Sequence, residues 1–209
     1  RAQGDIGAER VSVAGRASGL DLAEIAGLNG DVRADGAVDV SDLVVRYDAG
    51  RLEGEALLSW SDVLIEGVRP GAGAGGFVLA GDLLAATLES RSGTWRATAE
   101  VALGGGEPDV VLSAAFDSLA VDSLLTVPPA FAGTSLNGEG KLRGPADSLA
   151  LTGALRLWSP RFEADVEVTG DADLSGPERH LTAGIGAAPF VIRDFETKLD
   201  GGFEVSGDG

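Results

Sequence analysis

The stretch Arg51-Leu52-Glu53-Gly54-Glu55-Ala56-Leu57-Leu58-Ser59-Trp60 alternates with a period of two. Leu52, Gly54, Ala56, Leu58 and Trp60 take the even positions, and Arg51, Glu53 and Glu55 take odd ones. Successive side chains of a β-strand point to opposite faces, so this spacing predicts a strand with one apolar and one wetted side. Thr94 to Leu103 repeats the pattern, with Trp95, Ala97, Ala99, Val101 and Leu103 opposed to Thr94, Arg96, Thr98 and Glu100. In Arg161 to Thr169, Phe162, Ala164, Val166 and Val168 oppose Glu163, Asp165 and Glu167. Ser148 to Leu157 places Leu149, Leu151, Gly153, Leu155 and Leu157 in one register. Four such segments predict an antiparallel sheet with a single apolar face.

Weaker strand signals fall at Ala37–Tyr47, Phe77–Glu89, Asp109–Phe116, Leu136–Leu142, Leu181–Ile185, Phe190–Lys198 and Phe203–Val205. Turn clusters such as Asp48-Ala49-Gly50, Ser90-Arg91-Ser92-Gly93, Gly104-Gly105-Gly106 and Asp200-Gly201-Gly202 separate them. The prediction is an all-β antiparallel meander of about ten short strands with one or two short helices. Ser18 to Leu28 is the best helix candidate, its Ser18 and Asp21 spaced as a capping box. Leu119 to Leu125, stopped by Pro128-Pro129, is the other. Such short helices cannot cover the apolar face, so the sheet must curl into a U-shaped trough or a sandwich. Ala and Gly at inward positions allow close approach of two walls, or leave room for a guest such as an acyl chain.

The chain reads as one elongated β-rich domain over residues 1–209, divisible into two repeats of about 10–108 and 109–209. Leu28-Asn29-Gly30-Asp31-Val32-Arg33-Ala34-Asp35-Gly36 recurs 108 positions later as Leu136-Asn137-Gly138-Glu139-Gly140-Lys141-Leu142-Arg143-Gly144. Repetition of this kind builds a surface, not a catalytic centre.

Composition narrows the function. The formal charge is −17, from 33 acids against 16 bases. Such a surface repels phosphate backbones and anionic headgroups, which argues against nucleic acid and against direct docking on a membrane. Cysteine is absent, which excludes disulfides and thiol catalysis. Pro70 to Gly81 is uncharged but far shorter than the ~20 residues a membrane helix needs. Any membrane anchor is therefore expected outside this stretch of chain.

Catalytic and metal signatures read poorly. Gly71-Ala72-Gly73-Ala74-Gly75-Gly76 fits G-x-G-x-x-G but leads into a strand-like Phe77-Val78-Leu79, so it reads as a flexible loop. Asp171-Ala172-Asp173-Leu174-Ser175-Gly176 begins like a calcium loop but has Thr182 where a bidentate Glu is required. His180, the single histidine, falls in a turn-like Pro177-Glu178-Arg179-His180 with no partner signature. Most carboxylates lie on wetted strand faces. The reading is a non-enzyme without cofactor or metal.

The phrase from Gly50 to Asp62, Gly-Arg-Leu-Glu-Gly-Glu-Ala-Leu-Leu-Ser-Trp-Ser-Asp, resembles a stretch of the type II secretion system protein N family. The flanking order fits as well: Gly30 to Gly36 upstream, then Gly76 to Asp82, then Ser92-Gly93-Thr94-Trp95. More broadly, Leu136 to Leu157 is similar to AsmA and TamB envelope proteins. The resemblance covers about residues 18 to 160. It implies a periplasmic module, tethered to the inner membrane in the full protein. Such a module would act with envelope or secretion-system proteins, or carry lipid in a hydrophobic groove. The groove residues expected to contact acyl chains are Leu58, Trp60, Trp95, Ala97, Val101, Leu155 and Leu157. The alternative reading is an extracellular structural or adhesive β-domain with an acidic surface.

Overall fold

The computed structural model describes residues 2–6, 10–24, 33–65, 67–104, 108–124, 132–160, 162–173, 178–187, 190–192, 195–197 and 200–208. The chain is all-β. Among the described residues, fifteen strands follow in order: β1 (Ala2–Ile6), β2 (Arg10–Asp21), β3 (Ala34–Asp48), β4 (Arg51–Ile65), β5 (Gly73–Ala80), β6 (Leu83–Ser90), β7 (Trp95–Ala102), β8 (Asp109–Ala120), β9 (Ser135–Pro145), β10 (Leu149–Trp158), β11 (Phe162–Asp173), β12 (Glu178–Ala187), β13 (Phe190–Ile192), β14 (Phe195–Thr197) and β15 (Asp200–Asp208). Their hydrogen-bonded order is that of the chain, an antiparallel meander, except that β13 pairs with β11 and β14 beside the path. Among the described residues, helix is confined to the turns at 22–24 and Val121–Leu124.

Two compact units divide the chain. The first holds residues 1–92 and 98–108, and the second holds residues 93–97 and 109–209. Register in each unit explains the alternation in the sequence. In the first, Val45, Gly54, Leu79 and Leu84 stand side by side, as do Val40, Leu58, Gly75 and Leu88. In the second, Leu142 stands beside Leu151, and Gly138 lines up with Leu155, Val166 and Ala187. Side chains two apart on a strand share a face, so each unit presents one face built almost wholly from Val, Leu, Ala, Gly and aromatic residues.

The units share a local device. In the first, the β2–β3 register shifts between Ala17 and Leu20, Gly19 is left-handed (φ 63°), and its N–H donates to Asp39 Oδ1 at 2.8 Å. In the second, the β8–β9 register shifts between Phe116 and Leu119, Ser118 is left-handed (φ 53°), and its N–H donates to Asn137 Oδ1 at 2.8 Å. A helical turn follows each. The bulge inserts one extra residue, absorbed here by a left-handed backbone, and the Asx side chain satisfies the amide thus turned out of the ladder. This matches Leu20 and Val38 with Leu119 and Leu136, an offset of 99 positions in one strand and 98 in the other. The sequence repeat at 108 positions is not this correspondence. Leu136 answers to Val38 and not to Leu28, which lies outside the described residues with its neighbours to Val32.

Several local expectations change. Ser18 to Asp21 belong to β2, because pairing with β3 runs on to Asp21 opposite Ala37. The helix-start signal survives only as Asp21, whose Oδ1 accepts the Ala23 N–H at 2.8 Å. Leu119 and Ala120 likewise end β8, leaving Val121–Leu124 as the helical turn. Phe77–Glu89 is not one strand but parts of β5 and β6, joined by a turn at Gly81 and Asp82. Gly73 to Gly76, read as loop, are in β5, and His180, read as turn, is in β12 opposite Asp173. Asp200 to Gly202, read as a turn, open β15.

Candidate functional site

The candidate site is the apolar face, which each unit builds from its own strands. In the first unit, Trp60, buried within β4, donates its indole N–H to the Gly71 carbonyl oxygen at 2.7 Å. Its register partners are Val38 and Gly73, and a Cβ at Gly73 would collide with the indole ring. A Cβ at Gly75 would likewise meet the Leu88 side chain and the Thr87 carbonyl oxygen. These glycines therefore serve as floor for large neighbours, which is why an uncharged glycine run is a strand here. Leu58, two residues before Trp60, continues the same face against Val40 and Gly75.

In the second unit, Leu155 and Leu157 are half-buried and lie two apart on β10, between Gly138 and Leu136 on one side and Val166 and Ala164 on the other. The strand β7 carries the remaining expected contacts. Trp95, Ala97, Ala99 and Val101 are half-buried while Arg96, Thr98 and Glu100 are exposed, so the faces of this strand run as the sequence implies. Trp95 and Ala97 belong with the second unit and Val101 with the first. The seven expected residues thus fall into two sets: Leu58, Trp60 and Val101; and Trp95, Ala97, Leu155 and Leu157.

The expected contacts did not include Val38, Val40, Gly73, Gly75 or Leu88, which complete the rows of the first unit; Val166, placed on the apolar face by its alternation, completes that of the second. The signal for Gly73 and Gly75 was their period-two spacing with Phe77 and Leu79, hidden because glycine carries no polarity. Among the described residues named here, these rows carry no ionisable side chain.

Coverage of this face is incomplete: Leu58, Trp95, Val101, Leu155 and Leu157 are only half-buried. Among the described residues, few apolar side chains are buried, Leu149 (0% exposed) and Leu119 (3%) among them.

The opposite face of the second unit is charged. Arg156 donates to its register neighbour Asp165 at 2.9 Å and lies 3.4 Å from Glu163. The hydrogen bond to Asp165 raises the arginine's pKa above its already high value, with the charges of Asp165 and Glu163 adding to it. These groups are well solvated, so the cluster adds little stability. Arg156 and Asp165 also line a depression of ≈ 700 Å³, together with Ala154, Glu167 and the row Gly138, Leu155, Val166 and Ala187. Among the described residues, no group of three His, Asp or Glu is placed to hold a metal ion.

No family model matches the chain, and neither a curated protein nor a solved structure gives a match.

Proposed function

We propose that this chain is a non-catalytic β-rich module of the periplasm, held to the inner membrane in the full-length protein, that handles lipid acyl chains through its apolar face. The resemblance to type II secretion protein N and AsmA-like envelope proteins supports this placement, and service in secretion-machinery assembly is the same reading with a protein in place of lipid. The observation that carries it is the pair of apolar rows, free of ionisable groups and floored by glycine and alanine. No basic cluster on these rows selects a head group. Burial of an acyl chain should contribute ~0.8 kcal/mol per methylene.

Titration of Trp60 and Trp95 fluorescence with fatty acids of increasing length tests it. Affinity should climb with chain length and change little with salt, and native mass spectra should carry lipid. Affinity independent of length, with lipid-free spectra, would sink the proposal. An extracellular structural or adhesive domain, favoured by the formal charge of −17, would give that result.

A further inference from the structure

We infer that the first unit has a second docking surface on the face opposite its apolar rows, and that its occupant is a protein segment combining apolar residues with lysine or arginine. On that face β5 presents Ala74, Gly76, Val78 and Ala80, β6 presents Leu83 and Ala85, and β4 adds Leu57. Leu57 is 52% exposed, Val78 50% and Leu83 45%. The second unit shows what this scaffold looks like when the face meets water. Register places Asp165, Glu167, Thr169 and Asp171 of β11 where β5 has Ala74, Gly76, Val78 and Ala80, and Thr182 of β12 where β6 has Leu83. A strand apolar on both sides is the pattern of a sheet covered on both sides. An exposed apolar patch of this kind on an otherwise acidic protein marks an interaction surface.

Charge selects the occupant. Glu55 sits within the patch, between Val44 and Val78 in register, whereas Glu53, beside Ala80, has Arg46 as its other register partner and pairs with Arg51 at 3.4 Å, so Glu55 is the carboxylate of this patch that awaits a cation. Among the described residues, no lysine or arginine forms an ion pair with Glu55. Glu89 borders the patch beside Ala74. A second copy would set these carboxylates and a net charge of −17 against their equals, and an anionic bilayer would be repelled in the same way. A basic amphipathic segment buries its apolar residues on Leu57, Val78 and Leu83 and brings a cation to Glu55.

The test uses the 209-residue chain and a fluorescein-labelled helical peptide of leucine and lysine, read by anisotropy. The variant Val78→Thr/Leu83→Thr installs the residues found at the matching positions of the second unit and keeps every charge. It should bind about tenfold more weakly, a loss of ~1.4 kcal/mol, with circular dichroism and fatty-acid titration unchanged. Glu55→Gln should weaken binding and flatten its salt dependence. Equal affinity of the double variant would overturn the inference, because charge alone would then explain binding. Tight binding of a leucine–glutamate peptide would overturn it too. So would a dimer in sedimentation, or flotation with phosphatidylglycerol vesicles, that the double variant abolishes. The apolar-row proposal stands or falls separately, on the fatty-acid titration.

Discussion

The strands β5 and β11 occupy the same place in their units and share one face while differing completely on the other. Toward the apolar rows, β5 offers Gly73, Gly75, Phe77 and Leu79, and β11 offers Ala164, Val166, Val168 and Gly170. Away from them, β5 carries no charge and β11 carries Asp165, Glu167 and Asp171. The face that a strand shares with its neighbours is fixed by packing, since a polar group there would lose water without gaining a partner. The far face is under no such constraint, so its composition reports what it meets. Both units also keep the bulge and its Asx acceptor at the β2–β3 and β8–β9 junctions, so the difference in the far faces is laid on a common hairpin.

The largest predicted effect separates the units at one pair of positions. Gly138 in β9 answers to Val40 in β3, each standing two residues beyond its bulge partner. Gly138 has φ 127°, and a Cβ there would strike the Ala154 carbonyl oxygen of β10. Gly138→Val should therefore cost about 4 kcal/mol or leave the second unit unfolded, since it combines a forbidden φ with a backbone clash. The reciprocal Val40→Gly should cost only about 1–2 kcal/mol, for lost packing and strand entropy. Urea midpoints of the two variants decide this. A mild Gly138→Val would mean the two hairpins are more alike than their registers indicate.

Leu149 and Leu52 form the next pair, each the first apolar residue after the turn into β10 or β4. Leu149 is fully buried beside Ala172, whereas Leu52 is 43% exposed beside Tyr47. Leu149→Ala should cost about 2–5 kcal/mol and Leu52→Ala about 1 kcal/mol or less. Matching costs would show that the open end of the first unit is covered in solution.

How much of this was legible depends on whether charge marked the faces. Arg51, Glu53 and Glu55 in β4, and Glu163, Asp165 and Glu167 in β11, advertise the far face, so the apolar rows of both could be read from spacing alone. In β5 nothing advertises it, and Gly73 to Gly76 passed for a loop. Only the Trp60 ring over Gly73 and the Leu88 side chain over Gly75, both tertiary facts, show why glycine is required in that strand. Ser18 to Asp21 carried a helix-start signal that long-range pairing with β3 overrode. The nine-residue repeat misled for a related reason. Alternating apolar sequence matches itself at many offsets, while bulge and left-handed residue fix the correspondence at 98 and 99 positions.

The two bulge caps give the smaller effects. Asn137→Ala leaves the Ser118 N–H without its side-chain acceptor and should cost about 1 kcal/mol, as should Asp39→Ala at Gly19. Both sites are exposed, so water replaces part of each bond. The units then part over backbone strain. Gly19 adopts φ 63° freely, and nothing lies within 4 Å of a Cβ built there. Ser118 adopts φ 53° with a side chain that disfavours it. Ser118→Gly should therefore stabilise the second unit by a few tenths to about 1 kcal/mol, provided the Asn137 acceptor is intact. Gly19→Ser should destabilise the first unit by a similar amount, because strain and not collision is the only added cost. Thermal melts of the two reciprocal variants measure this with one instrument and opposite expected signs. If Ser118→Gly destabilises instead, the serine hydroxyl's contacts with Asp117 and Asn137 outweigh the strain, and the second cap is held by its side chains more than by its backbone.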